Sequence, residues 1–154
     1  MFIQAQQTLT ISQPEKVVFA LISNPTKESQ WNPAVLRTEC LSEQPGGIGT
    51  RYRETHRVLF RENTMTFEVV TYQPDTQFGT KTLSGGPLQI SQYLLEALPD
   101  TVRVTLSTAI QIPNVLRFLA PFLRRWADEE TLKSLTRLKQ FLENETTKSP
   151  ATSI

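Results

Sequence analysis

A chain of 154 residues with a single cysteine and a net charge of +1, from 16 basic and 15 acidic side chains, is long enough for one domain with its own core and cannot close an internal disulfide. The two charge signs are nearly balanced and neither forms a long block, so the electrostatics point to no nucleic-acid partner and no anionic membrane. The most apolar window, 115–123, is broken by Arg117 and Pro121 and is far shorter than the ~20 residues that span a bilayer, so no integral membrane association is expected.

The first predicted element is a strand over 2–11, where Ile3, Ala5, Leu9 and Ile11 fall on alternate positions. A short helix is expected from about residue 13. Ser12 and Glu15 have the spacing of a reciprocal capping box, and Pro14 suits a first helical turn. Val17, Val18, Leu21 and Ile22 would form its apolar face, widened by Phe19 and Ala20. An aromatic-proline corner at Trp31 and Pro33 leads to a second strand over 34–43. The densest turn signal, Gln44 to Gly49, precedes a third over 50–60. Arg61 to Asn63 reads as a turn, 64–72 as a fourth strand, 78–83 as a fifth, 88–97 as a sixth and 101–112 as a seventh. Short Pro, Gly, Asp and Asn turns between them predict an antiparallel meander.

Pro113 marks a change of period. Leu116, Leu119, Leu123, Trp126, Leu135, Leu138 and Leu142 recur at helical spacing, and Pro121 is expected to kink this segment or split off a shorter helical piece before it. The stretch 144–154 is small and polar, and is expected to be a disordered tail after a single domain over 1–143. Met1 is followed by polar Gln4, Gln6 and Gln7 rather than by a signal-peptide apolar run. With one cysteine, that leads to the expectation of a reducing, cytoplasmic location.

The order of these parts resembles the START-like superfamily, also called SRPBCC or polyketide cyclase/dehydrase-like. The residues that carry the resemblance are the strand followed by Ser12, Pro14, Glu15 and the apolar run to Phe19, the Trp31 and Pro33 pair, Gly47 and Gly49, and the C-terminal amphipathic helix. The resemblance implies an α+β helix-grip fold, with a curved antiparallel sheet of six or seven strands around a long final helix. It also implies a hydrophobic small molecule, such as a lipid, polyketide or quinone, held between sheet and helix.

Alternation then assigns faces. On the third strand Arg51, Arg53 and Arg57 read as the solvent face with Thr55, which turns Tyr52, Glu54, His56 and Val58 inward. Met65, Phe67 and Val69 are the matching inward set on the fourth strand. Phe78, Thr80 and Thr82 follow on the fifth, Gln89, Ser91 and Tyr93 on the sixth, and Val104, Leu106 and Thr108 on the seventh. The expected interior is apolar with scattered hydroxyls and one carboxylate–imidazole pair. Candidate ligand contacts are Trp31, Tyr52, Glu54, His56, Met65, Phe67, Phe78, Tyr93, Leu106, Leu119 and Leu123.

His56, the only histidine, is the natural candidate for proton transfer near neutral pH, with Glu54 or Tyr52 beside it. A lone histidine without a nucleophile motif more often forms a hydrogen-bonded strand pair, and that reading is preferred. Packing is likewise preferred for Trp31 and Trp126, a solvated helix face for Arg124 and Arg125, and an inert strand position for Cys40. Gly85, Gly86 and Pro87 form a turn. No Cys or His cluster and no phosphate-binding loop is present, so neither a metal nor a cofactor is expected. The leading expectation is a carrier or sensor of a hydrophobic small molecule. A cyclase, aromatase or dehydratase using Glu54, His56 or Tyr52 is the alternative, and a cochaperone-like module exposing Phe118, Pro121 and Phe122 ranks last. A monomer or weak homodimer is expected.

Overall fold

The computed structural model describes residues 1–43, 46–58 and 60–152, with side chains described at those positions except 58 and 145–152. Seven strands form one antiparallel sheet: β1 (Phe2–Ile11), β2 (Val35–Cys40), β3 (Arg51–Val58), β4 (Arg61–Gln73), β5 (Gln77–Ser84), β6 (Gln89–Leu98) and β7 (Thr101–Gln111). Their order is β1-β7-β6-β5-β4-β3-β2, a meander from β2 to β7 with β1 added beside β7. The sheet curves without closing, and the long helix α2 (Ala120–Thr152) lies in its concavity, chiefly along β1. This is the helix-grip architecture.

Alternation holds where one face of a strand meets the helix. Ile3, Ala5 and Ile11 of β1 are buried, as are Val102, Val104, Leu106 and Thr108 of β7. The outer face of β3 carries cross-strand ion pairs, Arg51 with Glu68 at 3.6 Å and Arg53 with Glu39 at 3.6 Å, which accounts for the arginine set. Thr55 departs from that pattern. It is buried on the outer side, its hydroxyl 3.3 Å from that of Thr64.

The expected capping box does not form. The helix α1 (Glu15–Ile22) has Pro14 at its N-cap with no side-chain cap, and the Ser12 amide donates instead to Glu143 Oε2 at 3.0 Å. That carboxylate also accepts from Lys139 Nζ at 2.9 Å, and Gln13 Nε2 donates to the Leu142 carbonyl at 2.8 Å. A tether to the far end of α2 thus replaces a local cap. The Glu143 carboxyl is held below the usual range, first by the Ser12 amide and then by Lys139. The apolar face of α1 is also rotated from the expected one. Val18, Phe19, Leu21 and Ile22 are buried, whereas Val17 is 44% exposed and Ala20 is exposed as well.

A 3₁₀ helix, η1 (Pro25–Gln30), occupies the stretch between α1 and Trp31. A second, η2 (Asn114–Leu119), precedes α2, so the C-terminal segment is split rather than kinked. Pro121 falls in the first turn of α2, where its missing N–H leaves no intrahelical bond unmade. The backbone of α2 stays helical to Thr152, through the stretch 144–154 for which a disordered tail is expected; side chains from 145 onward, and residues 153 and 154 entirely, lie outside the described residues. Arg61 to Asn63, read as a turn, already belong to β4.

The interior holds two apolar clusters. The larger gathers Ile11, Val18, Phe19, Trp31, Phe67, Leu135, Leu138 and Leu142 with other sheet residues, and the smaller gathers Ile3, Ala5, Ile112, Ala120 and Ala127. Leu123 packs partly buried against the smaller one. Among the described residues no helix is long and apolar enough to cross a membrane.

The turn between β5 and β6 depends on one glycine. Gly85 has φ +89°, and a Cβ there would overlap the Thr64 carbonyl oxygen and crowd Met65 Cα. Gly85→Ala is expected to destabilise the fold by at least ~2 kcal/mol, read as a lower urea midpoint, because neither obstacle is a movable side-chain end. An unchanged midpoint would show that the hairpin re-forms without it.

Candidate functional site

Between the sheet and α2 lies a cavity of about 290 Å³. Its walls come from both apolar clusters, with Leu21, Ile22, Phe67, Phe78 and Leu106 from the larger and Ala127 and Ile110 from the smaller. Pro25, Trp31 and Met65 add to the apolar wall, and the polar lining comprises Asn24, Glu28 and Asn32, Glu54 on β3, Thr80 and Thr82 on β5, Gln89, Ser91 and Tyr93 on β6, and Thr108 on β7. On the helix side stand Trp126, Glu130, Thr131 and Ser134.

Strand register brings these groups together. Glu54 pairs with Met65 across β3 and β4, Phe78 with Tyr93 across β5 and β6, and Tyr93 with Leu106 across β6 and β7, so two separate cross-strand rows, Glu54–Met65 and Phe78–Tyr93–Leu106, face the same cavity. Met65, Phe67, Phe78, Thr80, Thr82, Gln89, Ser91, Tyr93, Leu106 and Thr108 all line the cavity, on the face that alternation assigns.

Other assignments change. Tyr52 is buried in the larger cluster, stacked on Phe67 with ring centroids 5.5 Å apart, and is not among the lining residues. His56 is not among them either. It pairs with Val35 near the end of β2, where that strand bulges, and its ring Nε2 lies 3.4 Å from Asn63 Nδ2. Burial lowers its pKa. The expected carboxylate–imidazole pair is therefore absent from the cavity. Leu119 and Leu123 do not line it: Leu119 sits in η2, and Leu123 faces the smaller cluster. Trp126, read as core, is 51% exposed and forms part of the cavity wall. Trp31 combines both readings, since it is buried in the core and lines the cavity. Its indole N–H finds no partner among the described residues, a buried donor of the kind that a ligand oxygen would satisfy.

Glu28 has no counterpart in the sequence reading. It sits in η1 and accepts from Asn32 Nδ2 at 3.5 Å. The Asn32 Oδ1 in turn accepts from Arg137 Nη1 at 3.3 Å and from the Ala34 amide at 3.1 Å, so α2 and the aromatic-proline corner together fix the residue that orients Glu28. No periodic or motif signal marks position 28, because the placement comes from the fold of a six-residue 3₁₀ turn.

The electrostatics of this pair define the site. Burial raises the Glu28 carboxyl to about 7, against the smaller lowering effect of Asn32. Glu54 is pushed up to about 8, first by burial and then by the nearby Glu28 charge. Like charges close together in a partly buried space cannot both ionise cheaply, so near neutral pH the two hold at least one proton between them. Tyr93 is driven upward too, by burial and then by Glu28 and Glu54, and stays a phenol that donates. Together the three groups present O–H donors in the cavity while one carboxyl remains close to a proton-accepting state. Two such acids can hold an oxygen of a bound molecule, and can also pass a proton to or from it. Among the described residues no group of three His, Cys, Asp or Glu is placed to hold a metal ion.

Comparison with known proteins follows the architecture. The family described as polyketide cyclase / dehydrase and lipid transport matches residues 3–143. A START superfamily protein from Mycobacterium smegmatis superposes with a TM-score of 0.75 at 17% identity, covering 92% of this chain and 97% of that one. The Zhui aromatase/cyclase from Streptomyces sp. R1128 gives 0.77 at 14% identity, covering 95% and 96%. A protein of Thermus thermophilus gives 0.74 at 15% identity, covering 89% and 94%. No protein of curated function matches the sequence.

Proposed function

This chain belongs to the polyketide cyclase / dehydrase and lipid transport family, and on that premise we propose that its cavity binds an uncharged, mostly apolar small molecule carrying oxygen groups, with the protein acting as its carrier or sensor. The observation that supports this most is the division of the cavity wall. Phe67, Phe78, Leu106 and Met65 offer apolar contact, while Glu28, Glu54, Tyr93 and the Trp31 N–H converge as donors. A few placed polar groups in an apolar wall give orientation and specificity to small-molecule sites. A carboxylate-bearing ligand is disfavoured because it would add charge beside an already repelling pair.

The raised carboxyl pair favours a second reading, an enzyme of the cyclase, aromatase or dehydratase kind. Here one carboxyl protonates a ligand carbonyl oxygen while the other, ionised, removes a proton from the neighbouring carbon, leaving an enol and the pair with its proton exchanged. Glu54 carries over from the earlier candidates, and Glu28 replaces His56 as its partner.

Native mass spectrometry of protein purified from its host, followed by identification of anything bound, tests the binding proposal. A stoichiometric apolar molecule with hydroxyl or carbonyl groups supports it, and failure to retain any such molecule or to bind apolar probes overturns it. If the molecule is converted on incubation, Glu54→Gln should abolish conversion while binding persists. His56→Gln is expected to change binding less than about twofold and stability by under ~0.5 kcal/mol, since the ring lies outside the cavity lining. A large loss of binding in that variant would place the ligand elsewhere.

A further inference from the structure

The register places three tips at one end of the sheet. Val58 pairs with Arg61 at the β3–β4 hairpin, Gly85 of the β5–β6 turn accepts from Asn63 Nδ2 at 3.1 Å, and the Gln111 amide at the end of β7 donates to the Leu88 carbonyl at 2.8 Å. From Gln111 the chain passes directly into η2 and the start of α2, so both belong to that end.

Exposed apolar side chains gather there. Among the described residues the large hydrophobic side chains more than half exposed are Phe60, Val115, Phe118, Phe122 and Trp126 at this end, and Ile48 in the connection at the other. Phe60 is fully exposed, and Val115, Phe118 and Phe122 are 77%, 74% and 74% exposed. These are far from the scattered single residues of an ordinary surface.

Positive charge accompanies them. Arg57 and Arg61 flank the Phe60 tip, and Arg117, Arg124 and Arg125 flank Phe118 and Phe122, all exposed. Only Arg125 among these five has an ion pair among the described residues, with Glu129 at 3.6 Å and largely in water. The acidic residues of this region are Glu62 on β4 and Asp128, Glu129 and Glu130 about a turn further along α2; Glu130 faces the cavity and pairs with Lys133 at 3.4 Å. The net charge of +1 for the whole chain conceals this separation.

We propose that this end is a peripheral docking surface for an anionic lipid bilayer. Aromatic side chains on several tips, with arginines behind them, suit the interfacial region of a membrane, where rings enter the headgroup boundary and guanidinium groups meet lipid phosphates. A protein partner would more commonly meet one continuous patch than separate tips. Trp126, Gln89 and Ile110 line the cavity at this same end, so a docked molecule turns that part of its cavity wall toward the lipid.

Flotation of the full chain with vesicles of phosphatidylcholine containing phosphatidylglycerol, against vesicles of phosphatidylcholine alone, tests the proposal. Binding is expected to the anionic vesicles, to weaken as salt is raised, and to fall at least about tenfold in Phe118→Ser/Phe122→Ser, whose side chains support no core. Arg117→Glu reads the charge contribution independently should the double variant fold poorly, with a loss of about fivefold expected. Ile48→Ser, at the opposite end, should bind like the parent. Failure of the parent to float with anionic vesicles overturns the proposal and leaves the face to an acidic protein partner. Binding that neither the phenylalanine pair nor Arg117 alters overturns it equally. No cavity ligand is needed for this readout, so it stands apart from the ligand-binding proposal.

Discussion

Glu54→Gln is expected to stabilise the protein at about pH 9 by on the order of 2 kcal/mol and to leave it nearly unchanged at about pH 5. The sign follows from the direction of the shift. A carboxyl whose pKa is raised on folding, here from 4.5 to about 8, binds its proton more tightly in the folded state than in the unfolded one. Between those two values the folded protein therefore carries more protons, and its stability declines as pH rises. Glu28, raised to about 7, adds to the same slope through its own burial and its repulsion of Glu54. An amide at position 54 removes one of the two charges and the repulsion on the other. The full shift would give a larger effect, but the cavity admits water and its hydration lowers it. Thermal unfolding of both proteins across that pH range checks this. Parallel curves would mean that folding leaves the Glu54 carboxyl at its ordinary pKa, and the proton-sharing view of the cavity would fall with that result.

Leu138→Ala is expected to cost ~3 kcal/mol and lower Tm by about 10 °C. Leu138 is fully buried in the larger cluster, with Leu135 and Leu142 also on α2 and Ile11 on β1. Removing its branched end leaves a void that neither helix nor sheet can readily fill, because α2 is also pinned at this end by the Glu143, Lys139 and Leu142 contacts to residues 10–13. Urea denaturation gives the comparison directly. A loss below ~1 kcal/mol would show that α2 shifts to close the space, and the cavity volume would be expected to shift with it.

These two substitutions mark different kinds of legibility. Leu138 stands in a run of leucines at helical spacing, and the strand that faces it shows its own alternation, so its burial can be read directly from the pattern. The inward rows on β4 to β7 follow in the same way, since a period of two leaves only two choices and the arginines of β3 identify the outer one. Glu54 lies on that scale as well.

Glu28 does not. It belongs to a 3₁₀ turn without a periodic face, and what makes it part of the site is proximity to Glu54 from a separate segment of chain. His56 fails for the complementary reason. It shares the face of Glu54 in the strand, yet the cavity does not extend to its end of β3, where it pairs with Val35 at the bulged edge strand. The cap of α1 is a third such case, because Ser12 and Glu15 have the right local spacing but a carboxylate 131 residues away takes the amide first.

By itself, then, the sequence determined the element order, the antiparallel meander, the inward faces of the central strands and the helix that they grip, because each rests on periodicity between near neighbours. Only the tertiary structure decided which polar groups share the cavity, that a carboxyl pair rather than an imidazole lines it, and that Phe60, Phe118 and Phe122 stand exposed at one end. Those facts depend on distances between segments far apart in the chain, and on how far the curved sheet stays covered by α2, neither of which local spacing encodes.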